Sequence, residues 1–310
     1  MKLLFDDDLV EAVVFLCASG RRPGVPPLQV RRFHAEREHC YTRPDPDERA
    51  VAFARVNLGW FSEWGLDKLL ASAAASFPVL AAALAALAVR KSRGRADEGA
   101  ELYADAEGRR RGIVALQAER FCEDASLIPF LHHELAHLAD LVDPAFGYSP
   151  DLAQAGQTAA QQRLLRERYR LLWDVSLDGR LTRRGLQTIA GEAPRRREFE
   201  RGFAFLPEPR RAELFAALWS GRLAHHAALL ELAADPRGLR DLHAPVPGAA
   251  CPLCGFATFA WVEARQVSPA ALARIRAEFP GWREAEMVCA RCAEMYNAIA
   301  GQAYPATVCL

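Results

Sequence analysis

The sequence predicts an α+β protein that is mostly helical, with a small antiparallel sheet, a helix carrying a histidine motif, and a C-terminal module built on cysteines. Three observations predict this class: His133–His137 among apolar residues at helical spacing, a β-branched segment upstream of it, and two Cys-x-x-Cys pairs near the C-terminus. The 310 residues suffice for one large domain and a small module. We therefore expect a helical region at 1–92, a main domain at 93–245 and a cysteine module at 246–310.

The charge balance gives no sign of a polyanionic partner. Lys plus Arg and Asp plus Glu both number 39, so the net charge is zero and nucleic-acid binding stays open but is not indicated. Acids at Asp6–Asp8 interrupt the N-terminus before an apolar segment develops, which argues against a secretory signal. We expect a cytoplasmic protein with reduced thiols.

Three helical segments are predicted in the N-terminal region. Asp7–Ala18 is one helix, and Glu48–Leu58 is another. The uncharged stretch Leu69–Val89 is rich in alanine and contains Pro78, which favours a buried helix pair over a membrane span. Lys91–Arg95 is a candidate surface linker.

A β-hairpin is predicted before the histidine motif. Arg110–Gln117 is rich in β-branched and apolar residues, and Glu101–Asp105 is its candidate partner. The turn-like pair Glu107-Gly108 lies between them. This hairpin is the predicted antiparallel sheet.

The motif itself predicts a metal site. His133 and His137 lie at positions i and i+4, so on a helix they share a face and are about 6 Å apart. Two imidazoles there can hold one zinc ion at about 2.0–2.1 Å each. Glu134 is rotated by roughly 100° from His133 and can act as a general base on a water at the metal.

The residues around the motif predict a largely buried helix. Ser126 is the candidate N-cap, Pro129 falls in the first turn, and Asp143-Pro144 marks the end. Apolar residues recur at helical spacing: Phe130, Leu131, Leu135, Leu138, Leu141 and Val142. Unpaired imidazoles on such a helix would be costly, and a bound metal removes that cost.

The third ligand is predicted on a second helix, which begins near Leu152. Asp174 and Asp178 lie there at i and i+4, among apolar neighbours. One of the two would ligate the metal and the other would support a ligand, and the sequence does not rank them. The alternatives are Asp143 as the ligand, or an acid pair that forms salt bridges with Arg180, Arg183 or Arg184.

Three further residues are candidates near the site. Asp140 follows His137 by three residues, which suggests a supporting role behind a ligand. Tyr148 is a candidate donor to a developing oxyanion, with packing as the more ordinary role. His132 points to another helix face and is expected at the surface.

The C-terminal module predicts a second, structural zinc site. Its four ligands are the paired thiols of Cys251, Cys254, Cys289 and Cys292. Between the pairs, Thr258–Glu263 is a candidate strand, and a helix begins at Ser268-Pro269 and ends near Phe279. Further helices are expected over residues 183–245, especially over Pro209–Ala233, and Pro245 and Pro247 mark the module boundary. The other cysteines are expected as unpaired thiols: Cys17, Cys40, Cys122 and Cys309.

The strand, the HExxH helix and the second helix occur in the order that resembles the zincin metallopeptidases. The resemblance covers roughly residues 100–182 and implies a peptide or protein substrate, bound by strand addition to the strand before the motif helix. The acid pair is similar to the Glu-x-x-x-Asp of gluzincins, with Asp in place of the ligand Glu. The resemblance makes Asp174 the ligand and Asp178 its support, whereas a related zincin pattern makes Asp178 the ligand.

The succession of HExxH domain and four-cysteine zinc ribbon also resembles the SprT-like proteases. The chain departs from them because no histidine follows His137 until His225 and His226. The expected function is that of a zinc metallopeptidase with one catalytic and one structural Zn²⁺. The alternatives are a non-catalytic module that binds protein or nucleic acid, and a zinc hydrolase of another substrate.

Overall fold

The computed structural model describes residues 1–150, 152, 158–237, 248–283 and 287–301. The chain forms two compact units, which are described separately below. The motif unit comprises residues 1–148, 174–201 and 212–226. The cysteine unit comprises residues 149–173, 202–211 and 227–310. The described residues are mostly helical, as the sequence predicts.

The motif unit contains a four-stranded sheet in the order β1-β2-β4-β3. Its strands are β1 (Lys2–Phe5), β2 (Ala86–Lys91), β3 (Gly99–Ala104) and β4 (Arg110–Leu116). The predicted hairpin forms as β3 and β4, which pair antiparallel, but β1 and β4 both pair parallel with β2. The sheet is therefore mixed, and the prediction of an antiparallel sheet was wrong. Parallel pairing joins strands that are distant in the chain, so no local turn signal announces it.

The edge of the sheet next to the motif helix is β3. The strand directly before that helix, β4, is an inner strand between β2 and β3. The resemblance implies that a peptide adds to the strand before the motif helix, and this expectation is wrong because β4 has a neighbour on both sides. On β4, Gly112 lets the Leu138 side chain of the motif helix approach closely, since a Cβ at residue 112 would lie 3.1 Å from its Cδ1.

The N-terminal helices surround the core of the motif unit. They are α1 (Asp7–Ala18), α2 (Pro27–Cys40), α3 (Pro46–Glu63), α4 (Leu66–Ala75) and α5 (Pro78–Ala83). Helix α1 matches its prediction, α3 is longer than predicted, and α2 was not predicted. The uncharged stretch forms a helix pair that is interrupted before Pro78, but its last residues belong to β2. Lys91 ends β2, so the predicted linker begins within a strand.

The motif helix, α6, runs from Asp124 to Val142. Its N-cap is Glu123, so the prediction of Ser126 was wrong and Pro129 lies inside the helix. Asp124 in the first turn complements the helix dipole and pairs with Arg22 at 2.9 Å. That ion pair helps fix a start three residues earlier than the capping signal suggests. The end at Val142, before Asp143, agrees with the prediction.

Four more helices follow: α7 (Ala159–Arg183), α8 (Glu192–Gly202), α9 (Glu208–Trp219) and α10 (His226–Ala234). The helices predicted over Pro209–Ala233 form as α9 and α10, and the chain turns between them at Gly221 with φ of 76°. Helix α7 begins after the predicted Leu152. Among the described residues, no helix is both long and apolar enough to cross a bilayer.

Gly179 allows α7 and α9 to pack closely in the motif unit. A Cβ at this position would lie 2.3 Å from the carbonyl oxygen of Trp219, and that backbone cannot move aside cheaply. We expect Gly179→Ala to lower the free energy of unfolding by about 3 kcal/mol or more, measured by denaturant unfolding. The matched control is Gly59→Ala in α3, where a Cβ meets nothing within 4 Å. It should stabilise by up to about 1 kcal/mol, and equal effects of the two changes would contradict this packing.

The cysteine unit contains a two-stranded antiparallel sheet and two helices in its C-terminal part. These are β5 (Trp261–Val262), α11 (Pro269–Glu278), β6 (Val288–Cys289) and α12 (Ala290–Gly301). The hydroxyl of Ser268 caps α11 by accepting from the Ala271 N–H, as its sequence predicts. The predicted strand is shorter than expected. The predicted boundary at Pro245 and Pro247 lies outside the described residues.

Candidate metal centres

Helices α6 and α7 bring two histidines and an aspartate together in the motif unit. The rings of His133 and His137 lie one turn apart on α6, with centroids separated by 4.8 Å. Nε2 of His137 is 3.3 Å from Nε2 of His133 and 3.1 Å from Oδ1 of Asp174. Nε2 of His133 is 3.6 Å from the same oxygen. These three atoms form the donor triangle.

The size of the donor triangle matches a tetrahedral metal site. Ligand atoms about 2.05 Å from a tetrahedral ion subtend about 109° and are therefore about 3.3 Å apart. The observed separations of 3.1, 3.3 and 3.6 Å bracket this value. Two imidazole nitrogens and one carboxylate oxygen, with one position left over, are the donor set that catalytic zinc sites use. The residues present therefore fit a zinc ion.

Asp178 lies behind the donor triangle and has both oxygens engaged. Its Oδ1 accepts from Nδ1 of His133 at 3.1 Å. Its Oδ2 accepts from Nε and Nη2 of Arg195 at 2.8 and 2.6 Å. The side chain is completely buried. Asp174 is thus in the position of a third ligand and Asp178 in that of its support, a ranking that the sequence left open.

The electrostatics of the cluster favour a positive charge at its centre. Burial lowers the pKa of His133, but hydrogen bonds to Asp174 and Asp178 outweigh it and raise this pKa to about 9. Burial raises the pKa of Asp174, but hydrogen bonds to His133 and His137 outweigh it and hold this pKa well below its usual range. Because Nδ1 of His133 faces the Asp178 carboxylate, a proton held on Nδ1 would leave Nε2 as the nitrogen that ligates a metal.

Glu134 faces the beginning of the edge strand. Its side chain is half-buried, and its Oε2 would lie 3.7 Å from a Cβ at Gly99. Gly99 has φ of 150°, a conformation that other residues rarely adopt. The preceding residue, Glu98, is fixed by hydrogen bonds from the Arg120 guanidinium at 2.6 and 2.8 Å. The start of β3 is therefore held against α6 at the general-base position.

The two residues predicted to support the site have described partners in the motif unit. Asp140 is buried and forms an ion pair with Arg180, whose Nη1 donates at 2.8 Å. Tyr148 is half-buried, with its ring 5.4 Å from the ring of His226, and burial raises its pKa. The described contacts place neither one in the donor triangle.

The alternative assignments find other partners. Asp143 caps the turn after α6 by accepting from the Ala145 N–H at 2.8 Å, so it is outside the donor triangle. His132 is buried, not at the surface as expected, and its Nδ1 lies 3.2 Å from the Gln187 carbonyl oxygen. The predicted ion-pair alternative named the wrong arginines for Asp178, which pairs with Arg195.

The cysteine unit holds the second candidate centre. The sulfurs of Cys251 and Cys292 are 3.9 Å apart, and those of Cys254 and Cys289 are 3.8 Å apart. Four sulfurs about 2.3 Å from a tetrahedral zinc ion are about 3.8 Å apart. A disulfide needs about 2.05 Å, so the four thiols are free. These cysteines, the tetrad, can therefore hold a metal ion.

The pKa values of the tetrad cysteines are consistent with a metal-binding site. Burial raises the pKa of Cys251, but backbone N–H groups of the two knuckles outweigh it and lower this pKa to about 7. Burial and the neighbouring sulfurs raise the pKa of Cys292. The neighbouring sulfurs thus oppose ionisation of one another, and a bound cation would remove that opposition. Outside the tetrad, Cys17, Cys40 and Cys122 are buried free thiols, and Cys309 lies outside the described residues.

Arg195 is the residue that the sequence reading missed. It belongs to the basic run Arg195–Arg197, a pattern typical of a solvated surface, yet Arg195 is buried against Asp178 while Arg197 is exposed. A signal was present: Arg195 precedes Phe199 by four residues and so shares the buried face of α8. An arginine on an apolar face indicates a buried acidic partner.

No protein-family model, curated protein or solved structure matches this chain. The two metal-ligand clusters, found among the described residues, therefore carry the functional argument by themselves.

Proposed function

We propose that the chain is a zinc-dependent metallopeptidase that hydrolyses peptide bonds, with a second, structural zinc in the tetrad. The observation that carries the proposal is the donor triangle, whose 3.1–3.6 Å edges are formed by an HExxH helix and an acid from the next helix. His133, His137 and Asp174 would hold the catalytic ion. Zinc bound there would lower the pKa of a water molecule and polarise a substrate carbonyl.

The chain's own contribution to hydrolysis is proton transfer and orientation. Glu134 is one residue from a ligand and half-buried, so its carboxylate can accept a proton and pass it to the leaving amine. Asp178 holds the His133 ring through Nδ1, which keeps Nε2 directed at the donor triangle.

The free edge of β3 supports a peptide as the substrate. Because the Asp105 N–H bonds the Arg109 carbonyl, the antiparallel register turns the backbone groups of Ala100, Leu102 and Ala104 away from β4. Among the described strands, none pairs with this edge. An extended peptide can add there as a strand, with Glu134 beside the beginning of β3.

The substitution Glu134→Gln tests the proposal. We expect it to keep two zinc ions per chain and to cleave peptides about 10²- to 10⁴-fold more slowly, because only the proton acceptor is lost. The assay incubates the zinc-loaded chain with a proteome-derived peptide library and counts new N-termini by mass spectrometry. The control is Glu119→Gln, the same change at an exposed glutamate.

Two outcomes would contradict the proposal. One is cleavage by Glu134→Gln at the wild-type rate. The other is a zinc-loaded wild-type chain that cleaves no peptide in the library, which would favour a non-catalytic binding module or a different substrate.

A further inference from the structure

Arg195 reaches the acids of the donor triangle from a third helix. Its guanidinium donates to Oδ2 of Asp178 at 2.8 and 2.6 Å, and its Nη1 lies 3.8 Å from Oδ2 of Asp174. Nη1 also donates to Glu198 at 2.6 Å. The Arg195 side chain is only 7% exposed, so these ion pairs are little screened by water.

Asp174 and Asp178 each direct one carboxylate oxygen to a histidine and the other to Arg195. Oδ1 of Asp174 faces His137, and Oδ1 of Asp178 faces His133. Oδ2 of each faces Arg195. The guanidinium thus attracts the oxygens that point away from the histidines, and it does so from a fixed, planar group of donors.

We propose that Arg195 is a positioning residue that restricts Asp174 to one ligating oxygen and keeps Asp178 out of the ligand set. A carboxylate that binds zinc through both oxygens fills the position that a catalytic site must leave open. By attracting Oδ2 of Asp174 away from the metal, Arg195 keeps the fourth coordination position open. This inference rests on the proposed zinc site.

A purely structural role for Arg195 makes a different prediction. Its only task would then be to neutralise the buried carboxylate of Asp178, whose isolated charge would be costly. The double variant Arg195→Met with Asp178→Asn removes both charges, and the Asn oxygen can still accept from Nδ1 of His133. It therefore separates positioning of Asp174 from neutralisation of Asp178, and it avoids the misfolding that Arg195→Met alone risks.

The experiment uses cobalt(II) as a spectroscopic probe of the histidine site, in full-length chain whose tetrad holds zinc. We expect four-coordinate visible absorption from wild type and from Asp178→Asn alone, and weaker absorption, typical of a higher coordination number, from the double variant. With saturating zinc, the double variant should lose about 10- to 100-fold in kcat with little change in KM relative to Asp178→Asn alone, which keeps Arg195. The control is Arg196→Met, because Arg196 pairs with Glu192 on the same helix and should leave spectrum and kcat unchanged.

A double variant with the same cobalt spectrum and kcat as Asp178→Asn alone would overturn the inference. Failure of the proposed function is distinguishable. A wild-type chain that binds cobalt at the histidines but cleaves no peptide refutes the peptidase, while the spectral comparison still decides the role of Arg195. A wild-type chain with no cobalt band from this site refutes the metal site and the inference with it.

Discussion

A chain that carries Asp174→Ala is expected to bind one zinc ion where wild type binds two. Oδ1 of Asp174 supplies one corner of the donor triangle, at 3.1 Å from Nε2 of His137. Without it only two imidazoles remain, and we expect zinc affinity at this site to fall by more than about 100-fold, because loss of a mere supporting partner costs about 10- to 100-fold. Metal content after gel filtration, measured by mass spectrometry, gives the number of ions per chain.

Two comparisons make this prediction specific. Asp178→Asn should retain the ion with an affinity about 10- to 100-fold lower, since it alters the partner of His133 and leaves the donor triangle intact. Asp143→Ala should retain it with wild-type affinity, because the Asp143 carboxylate caps the Ala145 N–H. A chain that loses the ion with Asp143→Ala, or keeps it fully with Asp174→Ala, would show that the third ligand has been assigned wrongly.

The sequence predicts what short-range rules control. The spacing of His133 and His137, the hairpin turn at Gly108 and the cap at Ser268 are each determined by residues within a few positions, and each appears in the structure. The i, i+4 spacing of the histidines in particular fixes two of the three donor atoms before any tertiary contact is known.

The remainder depends on contacts between distant segments. Ala86–Lys91 became a strand because β1 and β4 pair with it on both sides, whereas its alanine-rich sequence carries no strand period. The order of the sheet then decided that β3, not β4, is the edge. The local sequence pattern therefore predicts neither the strand at Ala86–Lys91 nor the position of β3 at the edge.

The assignment of the two aspartates shows the same limit within the site. Asp174 and Asp178 have equivalent spacing on α7, so the pattern alone cannot rank them. What distinguishes them is Arg195, which comes from α8 and saturates Oδ2 of Asp178. The helix-forming pattern around Arg195 predicts the buried face, but the identity of the acid it meets is a tertiary fact.

Removal of the tetrad's metal is expected to unfold the C-terminal part of the cysteine unit. Cys251, Cys289 and Cys292 are themselves buried members of its small hydrophobic core. Its two strands have only two residues each, and modules this small commonly need a metal to fold. Zinc binding contributes about 10–16 kcal/mol in zinc-finger peptides, as much as the whole stability of a typical domain at about 5–15 kcal/mol.

The substitution Cys289→Ser tests this expectation by hydrogen exchange. We expect amides of α11 and α12 to lose their protection, while those of α6 keep it because its core is formed by other residues. Cys122→Ser is the matched control, since Cys122 is a buried free thiol outside the tetrad, and it should keep two zinc ions and protected α11 and α12 amides. Protected helices in Cys289→Ser would mean that the tetrad does not stabilise the module. Because the tetrad and the donor triangle share no residue, zinc content in this variant should fall by one ion and peptide cleavage should persist.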